Sequence, residues 1–229
     1  EINRLVTDQL ADLLFTPSRD GDENLLREGI PADKIRFVGN LMIDTLVQLL
    51  PKSEERWPGL QERFGLRRFL LVTLHRPSNV DDPVTLSHIM AALTEISHQI
   101  QVVFPVHPRT RQRISSLNLD LPADNLLLTE ALGYLDFLAL EAQASLVLTD
   151  SGGVQEETTF LGVPCLTARA NTERPVTLTA GTNRLVASEK MVLVKEITAA
   201  LNDAVSTRAR PDLWDGMSAT RIIETLLAV

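Results

Sequence analysis

Apolar and polar positions alternate with two different rhythms along this 229-residue chain. Residues 1–12 are in helical register, with Ile2, Leu5, Val6 and Leu10 on one face. Residues 13–18 read as a short strand ending in a helix N-cap, followed by a helix at 22–28 closed by Gly29 and a strand at 35–39. Helical patterns at 41–50 and 53–64 then lead to Arg67 and Arg68, where a domain boundary is expected. From Phe69 onward short apolar runs alternate with amphipathic ones, the pattern of β-α-β units. Strands are predicted at 69–74, 101–106, 125–129, 145–149, 164–168 and 184–187. The intervening helices fall at 83–99, 109–117, 134–142, 152–161 and 176–180, and two more at 190–205 and 216–228 close the chain. Strands that are apolar almost throughout are buried on both faces, so the prediction is an α/β fold, a Rossmann-like parallel sheet between helix layers. Residues 1–66 are expected to be an interdomain segment with the remnant of another domain, and 67–229 the Rossmann-like domain.

Composition narrows the class. Hydrophobic residues make up 44% and charged residues 23% of the chain, enough apolar material for a sizeable core. A net charge of −8 argues against a surface built to neutralise phosphate backbones or anionic lipid, so neither nucleic acid nor a membrane is an expected partner. The single cysteine, Cys165, leaves no intrachain disulfide and reads as an inert core thiol on a strand. No long apolar run or basic-then-apolar leader is present, and a cytoplasmic location is expected. The chain begins in mid-pattern without Met, which predicts an upstream segment.

Ligands of open parallel sheets bind at the carboxyl ends of the strands, so the residues following each strand are the ones to inspect. The strand at 145–149 runs into Asp150-Ser-Gly-Gly-Val-Gln-Glu-Glu157. Gly152 and Gly153 at a helix N-terminus let backbone N–H groups approach a phosphate, Ser151 adds a hydroxyl, and Glu156 or Glu157 can accept both hydroxyls of a ribose. An ordinary capped helix with acidic residues in its first turn would read the same way. Adjacent glutamates on a helix point about 100° apart, so this pair does not flank one glycosidic bond. Two strands end in histidine, His75 and His107, and their repetition at the ligand edge makes His75 a candidate for proton transfer or for a charge beside phosphate. His88 and His98 lie in an amphipathic helix and are expected to face solvent; no metal-ligand spacing is present. Arg174 follows the strand at 164–168 and can grip phosphate or a base carbonyl, unless its segment is a plain surface loop. Phe137 can pack on a base or simply belong to the core.

Taken together, Glu1-x-Asn-Arg, Val38-Gly-Asn40 with Asp44, Thr73-x-His-Arg, Pro105-Val-His-Pro, Thr149-Asp-Ser-Gly-Gly-Val-Gln-Glu-Glu157, Gly162-x-Pro, Thr172-Glu-Arg-Pro and Ala180-Gly-Thr-x-Arg-Leu-Val186 resemble the non-hydrolysing UDP-N-acetylglucosamine 2-epimerases over nearly the whole chain. The resemblance implies the C-terminal, nucleotide-binding domain of a glycosyltransferase-B type two-domain architecture. It implies anti-elimination of UDP from UDP-GlcNAc to a 2-acetamidoglucal, then re-addition to give UDP-ManNAc. By position, Ser151, Gly152 and Gly153 would hold the diphosphate, Glu157 the ribose, Phe137 and Arg174 the uridine end, and His75 would stabilise departing UDP. No cofactor or metal is implied, and the complete enzyme is expected to be a homodimer acting in polysaccharide biosynthesis. Glu1 matches only the second Glu of the family's Pro-Glu-Glu-x-Asn-Arg motif, so the acid/base for C2 is expected upstream and the isolated chain is expected to be inactive. His75-Arg76-Pro77-Ser78 also departs from the His-Arg-Arg-Glu that accompanies a second, allosteric UDP-GlcNAc site in many bacterial members. A non-catalytic UDP-sugar-binding module and a glycosyltransferase of the same fold remain alternative expectations.

Overall fold

The computed structural model describes residues 2–117, 119, 121, 125–203 and 210–228, so Glu1 and residues 204 and 205 of the predicted helix at 190–205 lie outside the described residues. The chain forms two compact units, one from residues 1–48 with 210–229, the other from residues 49–209.

The first unit contains α1 (Ile2–Leu10), β1 (Leu14–Thr16), α2 (Arg19–Arg27), β2 (Ile35–Phe37), most of α3 (Leu41–Glu54) and the closing helix Ser218–Leu227. β1 and β2 pair in parallel. The closing helix groups here because of contacts made far along the chain. Buried Asp44 accepts hydrogen bonds from the N–H groups of Ser218 (3.1 Å) and Ala219 (2.7 Å), satisfying donors that a helix start leaves orphaned. The Trp214 indole donates to Pro17 O at 2.9 Å. Gly39 sits at φ +89°, and a Cβ there would stand 2.1 Å from the Leu213 carbonyl oxygen, so only glycine fits. The Gly39 and Asp44 of the sequence motif therefore serve the packing of residues 210–228.

The second unit comprises α4 (Trp57–Phe64), β3 (Phe69–Thr73), α5 (Pro77–Val80), α6 (Pro83–Ser97), β4 (Gln101–Val106), α7 (Pro108–Ser116), β5 (Leu126–Glu130), α8 (Tyr134–Gln143), β6 (Leu146–Thr149), α9 (Gly152–Leu161), β7 (Cys165–Ala168), α10 (Pro175–Thr179), β8 (Asn183–Val186) and α11 (Lys190–Asn202). Its six strands are all parallel, in the order β5-β4-β3-β6-β7-β8. Alternate side chains of each strand feed opposite layers. Leu70, Val72, Val102 and Leu148 pack with α6 and α11 residues such as Ile89, Leu93, Leu193 and Ile197. Phe69, Leu71, Val103, Val147 and Cys165 pack with Leu60 of α4, Leu140 of α8 and Val154 of α9. Trp57 stacks on Phe69 at 6.1 Å, which ties α4 to this sheet.

The strand order decides where a ligand can sit. From β3 the chain winds outward through β4 and β5, and from β6 it winds the other way through β7 and β8. The topological switch point therefore falls between β3 and β6, where the diverging connections open a crevice at the carboxyl ends.

Candidate functional site

Residues that flank the switch point are joined by one buried carboxylate. Asp150, fully buried at the end of β6, accepts from the backbone N–H of His75 (3.1 Å) and of Arg76 (2.9 Å), both just past β3. It also accepts from Asn79 Nδ2 at 2.9 Å, and His75 Nδ1 lies 3.1 Å from Asp150 Oδ1. Asn79 donates further to Ala168 O at the end of β7 and accepts from the Ser188 hydroxyl beyond β8. The ends of β3, β6, β7 and β8 are thus stitched together by two side chains. The Asp150 contact holds the His75 imidazole by Nδ1 and directs Nε2 away, while the ring itself is exposed. Arg76 completes the clamp, its Nε donating to Asp150 O at 3.1 Å.

Next to His75 the chain enters α9. Ser151 is its N-cap residue, yet its hydroxyl makes no capping bond, and a Cβ on Gly152 would meet nothing within 4 Å. Gly152 thus opens onto unfilled space at a helix start; the Ser151 N–H donates to the Thr149 hydroxyl at 3.0 Å, and the first-turn N–H groups with the positive dipole end make an arrangement that can bind phosphate. The two glutamates of α9 diverge as their spacing requires. Glu156 pairs with Arg174 (Nε to Oε1 2.8 Å), and Glu157 Oε1 accepts from the Tyr134 hydroxyl at 2.7 Å. The segment carrying Arg174 is anchored to α9 a second time by the Thr172 hydroxyl donating to Gln155 Oε1 at 2.7 Å. Arg169 grips Glu173 through two bonds of 2.7 and 2.8 Å, which holds the Glu173 carboxyl down at about 2.

Phe137 is half-buried and packs on the core of the α4-α8-α9 layer. His107 caps α7, its Nδ1 accepting from Arg109 N at 3.3 Å, while His88 and His98 are exposed. Cys165 is buried, and burial pushes its thiol up to about 12, which keeps it unreactive.

Four residues of the constellation were not singled out from the sequence. Asp150 and Asn79 act as buried connectors; Asp150 stood inside the quoted motif, and an acid at a strand end beside a histidine was the available signal. Tyr134 and Glu141 share one face of α8 two turns apart, and a glutamate in phase with Phe137 and Leu138 marked a polar group headed for the interior. Glu141 is fully buried; burial, then the Glu157 charge, push its carboxyl well above the ordinary carboxylate range.

A six-stranded parallel sheet whose switch point carries a glycine-led helix end defines a doubly wound, Rossmann-like α/β protein. The family model for UDP-N-acetylglucosamine 2-epimerase matches residues 1–227, and the chain belongs to that family. It is 40% identical to the UDP-N-acetylglucosamine 2-epimerase of Methanocaldococcus jannaschii, over 99% of this chain and 63% of the relative. It is 39% identical to the UDP-2,3-diacetamido-2,3-dideoxy-D-glucuronate 2-epimerase of Pseudomonas aeruginosa, over 99% of this chain and 62% of that one. The crystal structure of the Neisseria meningitidis UDP-GlcNAc 2-epimerase bound to UDP-GlcNAc aligns with a TM-score of 0.86 at 31% identity, covering 100% of this chain and 65% of that one. The chain therefore spans less than two thirds of these relatives' length. Among the described residues no helix is long and apolar enough to cross a membrane.

Proposed function

We propose that this chain is the UDP-holding part of a UDP-N-acetylglucosamine 2-epimerase with the glycosyltransferase-B type two-domain architecture. The observation that carries the reading is the open, glycine-led end of α9 beside a histidine fixed by a buried carboxylate. In the proposed reaction the C2 proton leaves to a base and the C1–O bond to UDP breaks in the anti sense, giving 2-acetamidoglucal and UDP. UDP then re-adds at C1 while C2 takes a proton on the opposite face. Negative charge gathers on the diphosphate as the C1–O bond breaks, and groups pre-aimed at that charge lower the barrier. In this assignment the α9 N–H groups, Gly152, Gly153 and Ser151 bind the diphosphate, and His75 Nε2 stabilises it as it departs. Glu157 takes the ribose, and Phe137 and Arg174 the uridine end. Residues outside this chain supply the base for C2, residues 1–66 belong to the connection with that part, and the whole protein acts as a cytoplasmic homodimer.

Calorimetry on this chain tests the reading: UDP should bind, and absence of binding would defeat it. The full-length protein in D2O should form UDP-ManNAc carrying deuterium at C2, and this chain alone should form none. The Pseudomonas aeruginosa relative, at nearly equal identity, favours a second reading in which the same epimerisation acts on UDP-2,3-diacetamido-2,3-dideoxy-D-glucuronate. Comparing kcat/KM for the two sugars separates them.

A further inference from the structure

The polar cluster behind the proposed ribose carboxylate contains a group the function above leaves idle. Glu141 is fully buried on α8, and neither of its oxygens receives a hydrogen bond from an N–H or O–H donor among the described residues. Its neighbour in hydrogen-bond contact is the Glu157 carboxyl, which also accepts from Tyr134. An ionised carboxylate accepts only, so two facing carboxylates here would leave a buried charge without donors and repel one another. A carboxylic acid at Glu141 resolves both problems, because its O–H donates to Glu157 and the pair carries one negative charge.

We infer that Glu141 is a positioning residue that works as a buried, protonated acid, donating to Glu157 and, together with Tyr134, fixing that carboxylate for the two ribose hydroxyls of the nucleotide. The inference rests on the assignment of Glu157 to the ribose. Tyr134 and Glu141 come from one face of α8 and Glu157 from α9, so the packing of two helices, each tied to the sheet, sets the carboxylate's direction. Burial raises the Glu157 carboxyl, the hydrogen bonds from Tyr134 and Glu141 act against that rise, and the pair buries only one charge.

The test compares UDP with 2′-deoxy-UDP and pyrophosphate on this chain. The unaltered chain should prefer UDP over 2′-deoxy-UDP by about tenfold, the worth of one hydrogen bond to a charged acceptor. Glu141→Gln, whose amide N–H2 reproduces the donor, should keep that preference. Glu141→Leu should bring it down close to unity while leaving pyrophosphate affinity unchanged, a pattern that general damage to the fold does not produce. Infrared spectroscopy supplies a readout independent of any ligand: a protonated-carboxyl C=O band present at neutral pH should vanish in Glu141→Gln. Survival of the band in Glu141→Gln, or an undiminished ribose preference in Glu141→Leu, overturns the inference. Lack of ribose preference in the unaltered chain, with the band assigned to Glu141, would instead remove Glu157 from the ribose and the positioning role with it.

Discussion

His75 Nδ1 stands 3.1 Å from Asp150 Oδ1, and the same carboxylate receives the backbone N–H groups of His75 and Arg76. One buried anion therefore fixes both the loop after β3 and the direction of the imidazole. Asp150→Asn keeps the shape but presents one acceptor oxygen instead of two. The amide N–H2 would face donors, and the buried network would lose about 1–3 kcal/mol. Urea unfolding should register that loss. In the full-length protein kcat should fall well beyond any change in UDP affinity, because the imidazole loses its orientation; an equal drop in both would mean that Asp150 serves the fold alone.

Gly152→Ala separates ligand space from folding space. Nothing lies within 4 Å of the new methyl group, and the residue is helical, so the melting temperature should hold or rise slightly. If the space above the α9 end is where diphosphate sits, the methyl group intrudes on it and UDP affinity should fall by roughly tenfold, about 1.4 kcal/mol. Unaltered UDP affinity in a calorimetric titration would move the diphosphate elsewhere.

Gly39→Ala is expected to do the opposite. Its φ of +89° and the 2.1 Å approach to Leu213 O leave no room for a side chain. A loss of roughly 2 kcal/mol or more is expected from strain and displacement together. Chemical denaturation should show it, while UDP binding by the second unit should be kept.

Much of this was legible in the chain, and the failures share a cause. All six strands of the sheet were predicted to within a residue or so at each end, because buried parallel strands are continuous apolar runs and Gly, Pro and Asn punctuate them. The helix α5, Pro77–Val80, was missed because four residues carry no period. The switch point was invisible, since which strands become neighbours depends on crossovers rather than on any local pattern. The grouping of the closing helix with the first unit hangs on contacts such as that between Asp44 and Ser218, 174 positions apart, for which local reading has no signal. His75, Ser151 and Gly152 could be picked out because strand ends and helix starts advertise themselves. Asp150, Asn79, Tyr134 and Glu141 act through partners distant in sequence, and only the folded arrangement gives them a role.

Cys165 offers a clean negative. Burial holds its thiol up near 12 and packs it beneath the helix layer, so native protein should react negligibly with a disulfide reagent at pH 8. One thiol should appear at the rate of unfolding when denaturant is added. Rapid labelling of the native chain would place the thiol at a solvent path.

The Glu141–Glu157 pair sets a pH dependence whose sign is fixed by linkage. The Glu141 carboxyl has an ordinary value of 4.5 and is held well above it in the fold, by burial first and the Glu157 charge second. Above 4.5 the unfolded chain has released this proton while the folded chain retains it, so folding takes up a proton. Its stabilising contribution is fully present below 4.5 and is lost as pH rises toward the folded value. Over that interval one proton is worth about 1.4 kcal/mol per pH unit. Glu141→Gln removes the titration while preserving the donor, so its stability should fall less steeply between pH 5 and 7 and exceed that of the unaltered chain at the upper end. Urea midpoints measured across that range for the two proteins decide it: parallel profiles would mean that Glu141 is ionised in the folded chain.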